Sequence, residues 1–375
     1  MGERILAILR KEFRSVLRDP RMRFVILGLP ILQTLIFGYA VTLDVRHVRL
    51  AVVDRDGTPA SRELVARFTG SACFDAIAFP RDEAAARALI DAGDAAALLQ
   101  VNAGFAEGLR AGRAVPVQLV VDGADSNTAR YVLNYAAQIA ASANTALATE
   151  TLRRRAGPAA APAGPDLRPR VWFNPDLESR NYYVPGIIAM LVMLIGLMLT
   201  SMAIVREKET GTIEQVMVTP IRPVEFILGK CAPFAVIGFV DTALVTAVGL
   251  FWFDIPFRGS FALLLLGTAL FLLSTLGIGL FISTVSRTQQ QAMMTTFFFF
   301  FPAMLFSGFI FPITSMPEAF QWLSLADPLR YFLVIIRGVF LKGVGIEVLR
   351  DQLAALLVMG VAVMAFAVSR FRKTL

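Results

Sequence analysis

Residues 205–230, VREKETGTIEQVMVTPIRPVEFILGK, form a densely charged segment between two apolar runs, 187–204 and 232–253, each long enough to cross a bilayer. A connection this short between two crossings leaves and re-enters the membrane on the same side. Its own pattern is ordered. Thr210 and Thr212 can cap a helix start, with Glu214 close enough downstream to help cap the first turn. Ile213, Val216 and Met217 make an apolar stripe at helical spacing, and Pro220 and Pro223 stop the helix and stiffen the return. The expectation is a small amphipathic helix in a polar loop, preceded by the alternating charges Arg206, Glu207, Lys208 and Glu209. From these residues alone it either lies among lipid headgroups or docks on a partner.

The whole chain has 375 residues, 56% hydrophobic and 17% charged. That is too apolar for an ordinary soluble protein and too charged for a bundle of spans alone, so part membrane and part aqueous domain is implied. The net charge of +7 raises nucleic acid as a partner, but the distribution of the charge points elsewhere. The first 23 residues hold seven Arg/Lys against three acids, the last six hold three basic residues, and both groups flank apolar runs. This is the positive-inside pattern, which puts both termini in the cytoplasm and argues for a lipid bilayer, with no nucleic acid. The single histidine, His47, leaves little for zinc or for His-dependent nucleophilic catalysis. Cys73 and Cys231 fall on opposite sides of the membrane in this reading, so no disulfide is expected.

In chain order, residues 3–19 read as an amphipathic interfacial helix, with Ile5, Leu9, Phe13 and Val16 on one face. The first span is 24–43, about 30 Å long as a helix. It is too long for a cleaved signal peptide and no small-x-small site follows it, so it reads as an uncleaved anchor. Residues 44–183 are different in kind: sixteen Arg, no Lys and sixteen acids, hence no net charge. Strand-like and helix-like pieces alternate there: VRLAVVD, PASRELVARF, FDAIAF, RDEAAARALIDAG, AAALLQV, a short helix from Phe105 to Ala111, VPVQLVVDG, and a long helix over 128–155. That pattern implies an α/β or α+β domain with its own core. Asp54, Asp56, Asp122 and Asp125 stand at strand ends, where they either build turns or offer a metal site; turn building is preferred. A Pro/Ala/Gly linker, 157–169, returns the chain to the membrane. Further spans are expected at 184–205, 232–253, 260–284, 291–311 and 352–369, six in all with the first. The stretch 312–342 is apolar but broken by Pro312, Pro317 and Pro328, and reads as re-entrant or interfacial helices on the outer side.

Three residues are candidates for a substrate pathway. Asp241 is a carboxylate within a span, costing ~2.5–3.5 kcal/mol there on insertion scales, so it should face protein or water, with Thr242 or a glutamine as structural partner. Phe298 and Phe301 belong to a run of five phenylalanines that goes all round a helix, so at most two of the five could line a pathway. Gln289, Gln290 and Gln291 read as a solvated inward loop, with a second contact to a partner as the alternative. No GxxxxGK[ST] motif occurs, so the chain has no site to cradle ATP phosphates.

EKETGTIEQVMVTPIRPVEFILGK resembles the cytoplasmic loop of ABC transporter permeases of the type-2 exporter class, most closely the bacterial multidrug-type branch. Glu207, Glu209, Gly211, Thr212, Glu214, Pro220 and Lys230 fall at that family's spacing. VVDRDGTPASREL, VNAGFAEGL and VDGADSNTA look like its external domain, and 302–342 is similar as well. The resemblance implies six transmembrane helices with an extracytoplasmic α/β domain (44–183) between helices 1 and 2. It also implies a coupling helix contacting a separate ATP-binding cassette ATPase through Glu207, Glu209, Gly211, Thr212, Glu214, Gln215 and Pro220. The expected partners are that ATPase, which uses ATP and Mg while this chain binds no cofactor, a second permease in a homo- or heterodimer, and a periplasmic membrane-fusion adaptor. Export of amphipathic drugs or lipids across a bacterial inner membrane is the implied function. A membrane-anchored ligand sensor or a secretion scaffold is the rival, although no stretch after Ser369 is long enough for an output domain.

Overall fold

The computed structural model describes residues 6, 9–11, 13–14, 18, 20–40, 47–71, 73–156, 172–175, 178–211 and 223–374. The chain divides into two compact units, residues 43–169 and the remainder.

The smaller unit is a four-stranded sheet with helices on both faces. Its elements are β1 (Val48–Asp54), α2 (Pro59–Thr69), β2 (Phe74–Ala78), α3 (Glu83–Asp91), β3 (Ala97–Val101), α4 (Phe105–Arg110), β4 (Val117–Val121) and α5 (Ser126–Ala156); α1 belongs to the other unit. Strand order is β2-β1-β3-β4, with β1 parallel to both neighbours and β4 antiparallel to β3. β1 and β3 are central and buried on both faces, as their continuous apolar runs require. One face packs Leu50, Val52 and Leu99 against Phe68 of α2, Phe105 of α4 and Val132 of α5; the other packs Ala51, Val53 and Leu98 against Ala86 of α3.

The aspartates at the strand ends build turns and caps. Asp54 Oδ1 accepts the backbone N–H groups of Asp56 and Gly57, both at 3.0 Å, and its Oδ2 accepts the Ser61 hydroxyl at 2.7 Å. Thr58 and Ser61 cap α2 reciprocally. Asp56 accepts the Thr58 hydroxyl at 2.5 Å and the Ala106 N–H at 3.2 Å, joining the first turn of α2 to that of α4. The Thr58 bond, with help from backbone amides of 104–106, holds the Asp56 carboxyl below the usual carboxylate range. Asp122 accepts the Ala124 N–H, and Asp125 accepts the Thr128 hydroxyl.

The larger unit is helical: α1 (Phe24–Ala40), α6 (Ser179–Glu209), α7 (Pro223–Phe251), α8 (Phe261–Val285), α9 (Gln289–Phe306), α10 (Glu318–Leu323), α11 (Pro328–Arg337) and α12 (Ile346–Thr374). Among the described residues, four helices are long and apolar enough to cross a membrane: α6, α7, α8 and α12. Of the other two expected spans, α1 is a 17-residue apolar helix. α9 has 18 residues and begins with three glutamines, which dilute its apolar character. α6 lies at the centre and packs against α1, α7, α8, α9 and α11, while α8 and α12 make the most extensive pair.

The stretch 312–342 is a chain of short helical pieces. A 3-10 turn (Ile313–Ser315), α10, a second 3-10 turn (Ser324–Ala326) and α11 follow one another, and α11 runs into a π turn (Gly338–Lys342). The prolines set these breaks: Pro312 and Pro317 are N-caps, and Pro328 occupies the first position of α11. α11 buries Leu329, Phe332, Leu333 and Ile336, with Phe332 stacked on Phe271 of α8 at 4.3 Å between ring centres. The Arg337 guanidinium lies 3.6 Å above the Tyr182 ring, so the start of α6 and the end of α11 are held together.

Candidate functional site

The segment expected to dock a partner is shorter than its sequence implies, because both flanking helices extend into it. α6 continues through Arg206, Glu207, Lys208 and Glu209, which are helical rather than part of a loop. Thr210 does not start a helix. It is the C-cap of α6, its hydroxyl donating to the Arg206 carbonyl at 2.9 Å and its N–H to the Arg206 and Lys208 carbonyls. Gly211 follows with φ +70°, the left-handed conformation that ends helices and that glycine adopts without strain. On the far side α7 begins at Pro223, so Glu225 and Lys230 are helical and buried. Thr212, Glu214, Gln215 and Pro220, with the short helix expected around them, lie outside the described residues.

What the structure adds is how the two ends of this segment are held. Glu207 Oε1 accepts Lys230 Nζ at 2.7 Å and Lys11 Nζ at 3.2 Å. The Glu207 and Lys230 side chains are only 10% and 3% exposed, so the pair is desolvated and loss of either charge is costly. Lys208 Nζ donates to the Ser283 carbonyl at 2.6 Å in the last turn of α8. Glu209 reaches the start of α9, where Gln289 donates its backbone N–H at 2.9 Å and its side-chain amide at 2.5 Å. A carboxylate there satisfies a free N–H of the first turn and sits favourably in the helix dipole. Thr288 caps the same turn by accepting the Gln291 N–H, and Gln291 Oε1 accepts the Arg287 N–H at 2.8 Å. The three glutamines are thus the first turn of a helix and not a loop.

The sequence does not mark Lys11, Lys230, Ser283 or Gln289 as partners for the charges of 206–209. One local signal existed: Thr288-x-x-Gln291 is a helix-start pattern, which would have placed Gln289 at a first turn.

The candidate pathway residues are not brought together. Asp241 is fully buried in α7, and neither carboxylate oxygen has a hydrogen-bond partner among the described residues. Thr242 is not its partner, because a helical threonine readily bonds its own preceding turn; here the Thr242 hydroxyl donates to the Gly238 carbonyl at 2.8 Å. Phe298 and Phe301 lie on the exposed side of α9, at 81% and 53%, whereas Phe300 is buried.

The family model for ABC-2 family transporter proteins matches residues 20–369. The chain belongs to the ABC-2 transporter family. As an ABC-2 permease it is a multi-pass membrane transport subunit and not the ATPase. It is 32% identical to "Probable multidrug ABC transporter permease YbhR" of Escherichia coli K12, over all of this chain and 99% of that protein. It is 34% identical to "Probable multidrug ABC transporter permease YbhS" of the same organism, over 91% of this chain and 89% of the relative. "ABC transporter G family member 20" of Dictyostelium discoideum is 23% identical over 94% of this permease and 48% of its own length.

Proposed function

We propose that this permease is the membrane half of an ATP-driven exporter, working as a homo- or heterodimer of permeases with two copies of a separate ATPase subunit. It moves amphipathic drugs or lipid-like molecules out of the cytoplasm or the inner membrane, and the partner ATPase holds ATP and Mg. In this reading α1 and α9 complete six crossings of a bacterial inner membrane. Both termini are cytoplasmic, and residues 44–183 stand in the periplasm, where a membrane-fusion adaptor meets them.

The observation that carries the reading is the anchoring on either side of 212–222. The Glu207–Lys230 pair joins α6 to α7 next to this segment, and the Glu209–Gln289 contact joins α6 to α9. A push on a segment held in this way is shared among several spans, whereas a simple headgroup anchor needs no such ties. The naming of YbhR and YbhS as probable multidrug permeases supports the drug-like substrate class.

The test is Glu214→Lys in the complex reconstituted in vesicles. A reversed charge at a docking contact costs ~2–5 kcal/mol when a buried pair is lost, so ATPase binding or coupling should fail while the permease stays inserted and dimeric. Normal substrate-stimulated ATP hydrolysis and export in that variant would reduce the segment to a headgroup anchor and sink the reading.

A further inference from the structure

The α/β unit carries an open pocket of about 440 Å³ between α5, the end of α4 and the β3–β4 side of the sheet, its rim including the exposed Leu133, Leu147 and Val117. A hole that takes up benzene measures roughly 150 Å³, and small-molecule pockets run from roughly 300 to 1,000 Å³. This one is ligand-sized.

Its origin is legible in α5. The helix turns Ala136, Ala137, Ala140 and Ala143 towards the sheet between Leu133 and Leu147, so it stands off the strands without filling the gap. The opposite wall is apolar, with Phe68, Phe105 and Leu119 among its residues. Among the described residues two polar side chains break this lining: Asn144, an amide, and Arg113, a cation. The Arg113 guanidinium is 67% exposed and its contact with Glu107 is long, 3.9 Å, with Glu107 itself 82% exposed. Such a pair contributes little and leaves the cation available to another anion.

We propose that this cavity binds a single-chain amphipathic anion, its apolar chain against the α5 alanines and its acidic head on Arg113, with Asn144 as a hydrogen-bond partner. The inference stands on this unit alone and is independent of ATP coupling.

The full-length permease in phosphatidylcholine nanodiscs is irradiated with decanoic acid carrying a terminal diazirine, and the cross-linked peptides are mapped. Cross-links should fall on 117–119 and 133–147, be competed by decanoate, and resist decylamine. Ala140→Phe, which fills the cavity, should abolish those cross-links and spare any in the membrane helices. Arg113→Gln, a surface change that leaves the fold alone, should weaken decanoate competition about tenfold, the effect of one charge-assisted hydrogen bond. Decylamine competing as well as decanoate would overturn the anion assignment. Cross-linking unaffected by both variants would overturn the cavity as the site. If decanoate fails to bind while Leu147→Cys forms disulfides between two permeases, the cavity is a subunit contact and the proposal falls.

Discussion

Glu209 commits both oxygens of its carboxylate to Gln289, a residue eighty positions later in the chain. The last residue of α6 is thereby fixed to the first residue of α9, directly beside the Thr210–Gly211 stop. Gln289→Ala keeps the α9 cap by Thr288 but loses the side-chain half of this link. The expected outcome is an inserted, stable permease whose substrate-stimulated ATP hydrolysis falls several-fold in reconstituted vesicles. Unchanged stimulation would show that the contact only trims the helix ends.

The Glu207–Lys230 pair is desolvated, so removing one charge leaves the other buried without its closest counter-charge. Glu207→Leu should destabilise the larger unit by about 3–5 kcal/mol, seen as a lower unfolding temperature of the purified permease. Lys230→Met combined with Glu207→Leu should recover most of that loss, because two matched apolar groups replace the pair. A double variant no better than the single one would refute the pairing as the cause.

Asp241 is buried with neither oxygen bonded among the described residues, and an unsatisfied buried polar group typically costs ~1–3 kcal/mol. Asp241→Leu should therefore raise thermal stability. If transport survives as well, the carboxylate is a tolerated fault in the packing. Loss of transport in a more stable protein would mark it as part of the working pathway.

Acid should loosen the α/β unit in part through Asp56. Its folded carboxyl titrates below its unfolded value of 3.8, chiefly because of Thr58, so its contribution to stability is complete above that value. The contribution is lost as pH falls below 3.8 through the folded value. Asp56→Asn should flatten the stability of this unit over that range, measured by the unfolding temperature against pH. An unaltered acid limb would assign the sensitivity to other groups.

The topology can be read from two single substitutions, Ser142→Cys and Gln290→Cys. The native thiols Cys73 and Cys231 are both buried, and burial pushes the Cys73 thiol up, which keeps it protonated and slow to react. In intact cells an impermeant maleimide should label position 142 and leave 290 untouched until the membrane is opened. Labelling of both from outside would contradict six crossings.

The strands and helices of residues 48–156 are legible in the sequence because each is specified locally: β1 by its apolar run, α2 by Thr58 and Pro59, α3 by its N-cap Asp82. The ends of the helices around 205–230 were not. Arg206 to Glu209 read as loop because they are charged, and they stay helical because distant residues receive them: Ser283 takes Lys208, Lys230 takes Glu207 and Gln289 takes Glu209. Nothing at these positions announces partners 23 to 80 residues away. Thr210 is ambiguous in sequence for a related reason. A threonine hydroxyl can accept at a helix start or donate at a helix end, and only Gly211 in the left-handed conformation decides between them.

The central placement of α6 has a consequence for how the protein is made. Of the helices it packs against, α1 precedes it in the chain while α7, α8, α9 and α11 are translated afterwards. When α6 leaves the ribosome it must wait in the bilayer with most of its packing surface unclaimed, and with Glu207 still lacking Lys230. Until those helices follow, Gly196 likewise lacks Thr275, its neighbour in α8, so most of the α6 surface is completed only by sequence still to be translated.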